Sequence, residues 1–411
     1  MTHTPICWLI FGATYCGIAI GGIPGLTIDR TGIAVLGAIA MVSTGVLPLG
    51  SAMSAIDTPT LLLLFGLMIV SAQLRLSGFY ALAAQKLSRL SVPPRTLLFL
   101  TMSVSAGLSA ILVNDIVCLA FTPILTVAVI RAGLNPIPYL LGLACSSNIG
   151  SAATLIGNPQ NMLLGQLGGL HFGAFLCWAI TPTLAALAAA YGILLLLYRG
   201  RLTACARHTH PAEPSTSTAL RSNWQMRKGL GIALLVIALF FTRIPRELSA
   251  LVAGGLLLCS RHMDARKLLG MIDWSLIMLF CGLFIVIGGI ESTGITEQLL
   301  DWSGKHGLNM KNPYALTASG ALLSNIVSNV PAVMLLVRFM AKAGTENWYV
   351  LAIASTFAGN LLTIGSIANL IVIEQARHMG VTVSFREHAR TGIPVTLASL
   401  GIILLWIAAR N

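Results

Sequence analysis

Charged residues are scarce in this sequence. Of its 411 residues only 9% are Asp, Glu, Lys or Arg, whereas a soluble domain carries about 25%. The mean hydropathy is +0.85, and many apolar runs reach the roughly 20 residues that a helix needs to cross a bilayer. The composition therefore excludes a soluble globular protein. It predicts an all-α polytopic membrane protein, because a helix satisfies its own backbone hydrogen bonds in lipid.

Sequence motifs of several enzyme classes are also missing. The eight cysteines are scattered, mostly inside apolar runs, with no CxxC pair, which argues against a metal centre or a disulfide framework. No Walker or GxSxG sequence occurs, which disfavours an ATP-driven pump core and a serine hydrolase. The eight histidines are interpreted as residues of loops or termini, none of which acts inside the membrane. Neither an enzyme activity nor a cofactor beyond a coupling ion is predicted.

The order of apolar and polar segments divides the chain into four parts. We assign residues 1–30 to an N-terminal transmembrane helix, residues 31–198 to a first half and residues 229–411 to a second half. Between the halves, residues 199–228 carry six basic residues and one acidic residue, which is typical of a solvated linker. About 10–12 spans are predicted, the last of them at residues 393–409.

Each half contains one apolar region that does not fit a simple span. Residues 96–130 and 313–340 are each about 30 to 35 residues long, with a polar interruption near the middle. A single helix of that length is too long for roughly 30 Å of hydrocarbon. Both regions are therefore predicted to be re-entrant helical hairpins, which are tolerated where protein or water covers the tip.

The two halves match each other in three blocks that occur in the same order at a nearly constant spacing. This pattern indicates an internal duplication. Paired repeats with interrupted helices at equivalent places predict a transporter whose binding site lies at the repeat interface. The matched blocks are Ile56 to Gly78 with Ile272 to Gly294, Ser109 to Val117 with Ser324 to Ala332, and Leu155 to Leu163 with Thr363 to Ile371.

Basic residues lie mostly on one side of the predicted topology. If residues 96–130 enter from the cytoplasm, seventeen Lys and Arg fall inside and six outside, in agreement with the positive-inside rule. The linker is then cytoplasmic, the second hairpin enters from the opposite side, and the two repeats are inverted. The net charge of +12 is thus a topology signal and does not indicate a nucleic-acid partner.

Polar residues gather at four places inside the apolar halves, namely two hairpin tips and two interrupted helices. Unwinding a helix frees carbonyl oxygens that can coordinate Na⁺, and it creates helix N-termini that attract an anion. The candidate binding residues are Asn114 and Asp115 at the first tip, Ser151, Thr154, Gly157, Asn158 and Asn161 at the first break, Ser328 and Asn329 at the second tip, and Asn360, Thr363, Gly365, Ser366 and Asn369 at the second break. Asn114, Asn161, Asn329 and Asn369 are the candidate Na⁺ ligands.

Two alternatives accompany this interpretation. Small and polar residues in membrane helices also serve close helix packing, and Gly-Pro breaks also serve as simple kinks. Asp115 is the only acid deep within an apolar segment, which predicts an ion ligand or a proton carrier, but a buried acid that braces the hairpin remains open. Asp57 and Asp273 head their helices and are predicted to be helix caps.

Four motifs resemble those of the ion transporter superfamily, which includes arsenite permeases, citrate transporters and divalent anion:sodium symporters. "VNDIVCLAFTP" from Val113 is similar to the Asn-Asp hairpin of the arsenite and citrate branches, and "SNIGSAATLIGNPQN" is similar to the first broken helix. "VSNVPAV" and "GNLLTIGSIANLI" resemble the second-half counterparts. The divalent-anion branch carries Ser-Asn-Thr at both tips, and this chain does not.

The resemblance covers about Gly32 to Ile407 and implies a scaffold, a mobile transport region with elevator-type alternating access, and a homodimer. It also implies that Asn114 and Asp115 form one cation and substrate subsite with the first break, and that Ser328 and Asn329 form the other with the second break. We therefore predict a secondary active transporter of a small inorganic oxyanion or carboxylate, coupled to Na⁺ or H⁺, in the inner membrane. A cation/proton antiporter that uses Asp115 and a passive channel remain alternatives.

Overall fold

The computed structural model describes residues 4–22, 25–88, 92–202, 223–261, 263–294, 312–340 and 344–410. Within these ranges the regular secondary structure is entirely helical, which confirms the predicted class. Residues 203–222, the greater part of the predicted linker, lie outside the described ranges.

In the described chain ten helices precede residues 203–222 of the linker and nine follow these residues. The first ten are α1 Thr4–Ile20, α2 Arg30–Ser43, α3 Leu49–Ala55, α4 Thr58–Leu76, α5 Phe79–Ser88, α6 Pro94–Ile111, α7 Asn114–Arg131, α8 Pro136–Ser151, α9 Pro159–Leu167 and α10 Phe172–Leu197. The remaining ones are α11 Asn223–Leu239, α12 Arg246–Leu258, α13 Ala265–Leu269, α14 Trp274–Ser292, α15 Pro313–Val327, α16 Asn329–Leu336, α17 Thr345–Ala358, α18 Ile367–His378 and α19 Phe385–Arg410, with 3₁₀ turns at Val337–Met340 and Thr363–Gly365. Six of them, α4, α6, α7, α10, α14 and α19, are long and apolar enough to cross a membrane.

Both predicted hairpins are present. Helices α6 and α7 are joined by a two-residue turn at 112–113, and α15 and α16 are joined at Ser328 alone. Ser328 has a φ of 76°, the one positive value at a residue other than glycine in the described part of the chain. L-residues rarely adopt this conformation, so the surrounding packing has to hold the second tip in place.

Both predicted helix interruptions are present as well. The path of α8 is broken at residues 152–158 before α9 begins, and the path of α17 is broken at residues 359–366 before α18 begins. Asp57 and Asp273 cap α4 and α14 as predicted, since their carboxylates accept the N–H groups of Thr60 and Leu276 at 3.0 Å each.

The two halves exchange equivalent contacts. Gly66 on α4 lies so close to α12 that a Cβ atom would overlap the backbone of Ala250, and Gly282 on α14 lies equally close to the backbone of Ala34 on α2. The positions are equivalent in the repeat, because 34 and 250 are separated by the same number of residues as 66 and 282. Each half therefore packs a glycine-lined helix onto the other half, and the halves form one intertwined unit.

Candidate functional site

A small, partly open cavity of about 20 Å³ lies where the two hairpin tips meet the two helix breaks. It has room for about one water molecule, and most of its lining residues have polar side chains, so it suits an ion or a small polar group. The lining residues are Asn114 and Asp115 at the first tip, Ser328, Asn329 and Val330 at the second tip, Pro159 and Gln160 at the start of α9, and Ser366 and Ile367 at the start of α18.

Four helix N-termini meet at this cavity. Helices α7, α9, α16 and α18 begin at Asn114, Pro159, Asn329 and Ile367, and each of these four residues lines it. The first turn of a helix carries backbone N–H groups without intrahelical partners and the positive end of the helix dipole. The helix N-termini therefore contribute positive potential to the cavity from backbone groups alone, because no Lys or Arg is among its lining residues.

Asp115 contributes the formal charge of the cavity lining. It lies in the first turn of α7, where a carboxylate is favoured by the dipole. Its side chain is half-buried and makes no hydrogen bond or ion pair that involves the described residues. A carboxylate without a partner in this position is available to a cation or a proton.

The first break is held by its own side chains. Asn158 accepts the N–H of Asn161 at 2.8 Å, which caps α9, and donates to the Ser151 hydroxyl at 2.9 Å. Asn161 donates its side-chain amide to the Thr154 carbonyl at 2.9 Å and to the Ser151 carbonyl at 3.4 Å. Side chains of the break therefore bond some of the backbone N–H and C=O groups that lose their helical partners where the helix is interrupted.

The second break repeats this arrangement. Ser366 accepts the N–H of Ala368 at 3.2 Å and caps α18. Asn369 donates its side-chain amide to the Gly359 carbonyl at 2.8 Å and to the Leu362 carbonyl at 3.3 Å. Asn161 and Asn369 are thus equivalent in contacts as well as in sequence position, and both are fully buried.

Asn148 on α8 connects the first repeat to the second break. Its side-chain N–H groups donate to the amide oxygens of Asn360 at 2.9 Å and Asn369 at 3.1 Å. Its own oxygen accepts from the Ser366 hydroxyl at 2.9 Å and from the Asn114 amide at 3.2 Å. All four hydrogen-bonding functions of this amide are used, at a residue that is 1% exposed.

Thr356 on α17 connects the second repeat to the first break in the same way. Its hydroxyl accepts from the side-chain amides of Asn158 at 3.2 Å and Gln160 at 3.3 Å, and it donates to the Ala352 carbonyl at 2.7 Å. Residues 148 and 356 are equivalent in the repeat, with the same separation as residues 161 and 369. Each break is therefore held by the helix of the opposite repeat.

The hairpin tips donate hydrogen bonds to backbone carbonyls of the breaks and of α17. The backbone N–H of Asn114 donates to the Gly157 carbonyl at 3.1 Å. The side-chain amide of Asn329, in the orientation that gives both of its ends hydrogen-bond partners, donates to the carbonyls of Gly365 and Ser355 at 3.1 Å each. Gly157 has no room for a Cβ atom, which would overlap the Ser151 carbonyl, so glycine is required for the tight crossing of the first break.

Five of the fourteen predicted binding residues line the cavity, and the other nine do not. The five are Asn114, Asp115, Ser328, Asn329 and Ser366. The nine others, all in or next to the two breaks, are Ser151, Thr154, Gly157, Asn158, Asn161, Asn360, Thr363, Gly365 and Asn369. Among the candidate Na⁺ ligands, Asn114 has a buried side-chain oxygen without a partner in the described chain, while the amide nitrogens of Asn161 and Asn369 face carbonyls.

Sequence reasoning missed Asn148, Thr356 and Gln160. Asn148 and Gln160 stand inside the motif "SNIGSAATLIGNPQN", so their polarity in an apolar context was a usable signal. Thr356 could have been found from its repeat equivalence to Asn148. Neither signal reveals that the two side chains reach across to the opposite repeat.

Comparison with known proteins identifies the family. Residues 7–358 match the family model described as citrate transporter, CitMHS. The chain is 29% identical to an uncharacterized transporter of Mycobacterium tuberculosis over 422 residues, covering 97% of each chain. It is also 29% identical to the silicon efflux transporter LSI3 of Oryza sativa subsp. japonica over 473 residues, covering 96% of each.

Among solved structures, MtrF of Neisseria gonorrhoeae, which represents a class of antimetabolite efflux pumps, superposes with a TM-score of 0.60. The match covers 98% of this chain and 93% of MtrF at 12% sequence identity. At this identity it shows a similar fold and nothing about function. The membrane-transporter fold, the transporter relatives and the family match agree with the resemblance drawn from the four motifs. The chain is a multi-pass membrane protein that belongs to the CitMHS citrate-transporter family.

Proposed function

We propose that this protein is a secondary active transporter that moves a small anion, an inorganic oxyanion or a carboxylate, coupled to Na⁺ or H⁺. The observation that carries the proposal is the convergence of four helix N-termini, two from each repeat, on one small cavity. Backbone N–H groups bind an anion without a fixed cationic side chain, which favours release on the far side. The family description names a carboxylate, in agreement with this chemistry.

The coupling ion is proposed to bind beside the first hairpin tip. The side-chain oxygen of Asn114 is buried and has no partner among the described residues, and the Asp115 carboxylate next to it is likewise unpaired. Neutral oxygens and one carboxylate are ligands suited to Na⁺, and the carboxylate alone is suited to H⁺. A cation at this place would offset the charge of an anion in the same cavity.

A thermal-shift screen of the purified protein tests this proposal. Oxyanions and carboxylates are added singly, each with and without Na⁺. A ligand of the folded state raises the midpoint of unfolding by mass action, and we expect a shift for at least one anion. A shift that requires Na⁺ identifies the coupling ion, while the absence of a shift with every anion contradicts the proposal.

Transport in proteoliposomes separates a carrier from a passive channel. A carrier with the proposed site shows saturable uptake and counterflow, in which unlabelled substrate inside accelerates the entry of labelled substrate. A channel shows neither saturation at low concentration nor counterflow. Saturable counterflow of the anion found by thermal shift is the expected result.

The unpaired state of Asp115 favours cation/proton antiport as the second candidate. In that case Asp115→Asn abolishes proton flux driven by a cation gradient, and no anion is carried. In the anion transporter, wild-type protein carries the labelled anion, and Asp115→Asn changes the dependence of that uptake on the coupling ion. Proton flux measured with a pH-sensitive dye, in parallel with labelled anion, decides between the two.

A further inference from the structure

His388 contradicts the interpretation of all histidines as residues of loops or termini. It lies near the start of α19, one of the six long apolar helices, and is only 1% exposed. Its ring nitrogens lie beside the backbone carbonyls of Asn360 and Leu362, without forming a hydrogen bond of regular geometry within the described chain. A buried polar group without a well-formed hydrogen bond is costly, so its retention at this place calls for a reason.

The ring of His388 faces the second helix break. The carbonyl groups of Asn360 and Leu362 lie next to it. Helix α19 crosses this backbone closely at Gly392, where a Cβ atom would overlap the Asn360 carbonyl and would stand 3.2 Å from Nε2 of His388. Both carbonyls lie in the break that follows α17, and the Leu362 carbonyl also accepts the Gly365 N–H at 3.0 Å and the Asn369 side-chain amide at 3.3 Å.

The equivalent position of the first repeat carries a different kind of side chain. Helix α10 is the counterpart of α19, since both are 26 residues long and begin with a phenylalanine. At the place of His388 it carries Phe175, which is fully buried and packs edge-on against Tyr349 with ring centroids 5.2 Å apart. A hydrogen-bond donor therefore faces the second break, whereas an apolar ring occupies the equivalent place in the first repeat.

We propose that His388 is a positioning residue of the second half of the binding site. Its ring N–H directs the Asn360 and Leu362 carbonyls and so restrains the broken segment. Asn360 is bonded through Asn148 to Ser366, which lines the cavity. The ring therefore acts on the substrate through this chain of contacts without touching it. The proposal rests on the proposed function for its effect on transport.

The first test is transport kinetics of two variants. His388→Phe installs the residue of the first repeat, and His388→Gln keeps a side-chain donor. We expect His388→Phe to raise the KM for the anion about five- to tenfold, because the polar contact of the ring with these carbonyls is lost, with little change in the maximal rate. His388→Gln should return KM to within about threefold of wild type. His378→Phe, at an exposed histidine of α18, is the matched control and should behave as wild type.

The second test does not depend on transport. Hydrogen–deuterium exchange of the purified protein compares peptides of residues 359–366 with peptides of residues 152–158. His388→Phe should accelerate exchange in the second break and leave the first unchanged, and His388→Gln should reverse the effect. If His388→Phe does not insert, His388→Leu provides the apolar comparison.

The outcomes are distinguishable. Equal exchange in wild type and His388→Phe, or a His388→Gln variant as impaired as His388→Phe, overturns the proposal, as does an unchanged KM. If wild-type protein carries no anion while exchange changes as expected, the proposed function fails and the positioning of the second break by His388 stands.

Discussion

At the scale of single residues, Asn148 holds together parts of the site that are distant in sequence. One amide bonds the first hairpin tip, through Asn114, and three side chains of the second break. No other residue type offers two donors and two acceptors in the same geometry. Its counterpart Thr356 uses a hydroxyl for the reciprocal contact, so the two breaks are held by different chemistry in an otherwise repeated frame.

We therefore expect Asn148→Ala to lower both stability and transport. The substitution leaves buried donors and acceptors without partners, which costs about 2 to 3 kcal/mol of the free energy of unfolding. Transport should fall more than tenfold, because Ser366 and Asn114 both lose a restraint. Chemical unfolding in detergent and uptake in proteoliposomes measure the two effects. Asn223→Ala, at an exposed position that begins α11, is the control, and equal behaviour of the two variants would contradict the assignment of Asn148.

A second prediction at this scale concerns Gly157. A Cβ atom there would overlap the Ser151 carbonyl and lie 2.8 Å from the Ser109 carbonyl on α6, so Gly157→Ala should push the first break away from the hairpin. We expect loss of transport in protein that still inserts. Gly107→Ala is the matched control, because Gly107 lies on α6 with open space at its Cβ position, and alanine there also favours the helix. Normal transport by Gly157→Ala would show that the close crossing is dispensable.

At the scale of helices, the close approach of α4 to α12 and of α14 to α2 depends on Gly66 and Gly282. Small residues allow membrane helices to pack closely where no hydrophobic effect drives them together. A Cβ atom added at either glycine would overlap the backbone of the neighbouring helix. Backbone cannot move aside as the end of a flexible side chain can. The reciprocity of the two contacts ties the repeats together away from the cavity.

Gly66→Ala and Gly282→Ala should each reduce the free energy of unfolding by about 1 to 3 kcal/mol, the usual cost of overpacking. Because the contacts are equivalent, the two variants should have similar effects. The measurement is thermal unfolding of purified protein in detergent. Gly255→Ala on α12, with no atom near its Cβ position, controls for the substitution itself, and a loss of stability there as large as at Gly66 would refute the packing argument.

At the scale of the whole molecule, the inverted repeats predicted from the sequence place the two hairpin entrances on opposite sides of the membrane. Arg95 begins the first hairpin and is exposed, and Tyr314 begins the second and is 43% exposed. The charge asymmetry puts the first entrance in the cytoplasm. This orientation is a prediction from sequence, and accessibility to a reagent that cannot cross the membrane tests it.

Single cysteines at these two positions should react from opposite sides. In a background where all eight native cysteines are replaced by serine or alanine, a charged maleimide added to intact cells should label Tyr314→Cys. Arg95→Cys should be labelled in inside-out vesicles. Labelling of both cysteines from the same side would rule out inverted repeats, and labelling in the reversed sense would invert the topology while keeping the repeat.

The hairpins, the breaks and the two aspartate caps were predictable because each depends on local sequence. Asn114 and Ser328 interrupt apolar regions too long for one span, and Asp57 precedes its helix with the usual capping spacing. The start of the last helix was not predicted well. It begins at Phe385, whereas the apolar run begins near residue 393, because its first two turns carry charged residues that an apolar-run criterion excludes.

The contacts across the repeats could not be predicted from local sequence. Asn148 and Asn360 are 212 residues apart, and the internal duplication indicates which positions are equivalent, not which ones touch. The burial of His388 was hidden for the same reason. The charged neighbours Arg386, Glu387 and Arg390 predict that His388 is solvent-exposed. The side chain is buried because α19 packs on the second break.

The sequence by itself determined the membrane class, the duplicated plan and the places where helices are interrupted. These follow from hydropathy, chain length against bilayer thickness and the backbone preferences of Gly, Pro and Asn, all of which act over short stretches of chain. The tertiary structure alone decided which polar side chains line the cavity, which hold its walls, and that each break is held by the opposite repeat. Such roles depend on distances between residues remote in sequence, which exist only once the two halves have packed together.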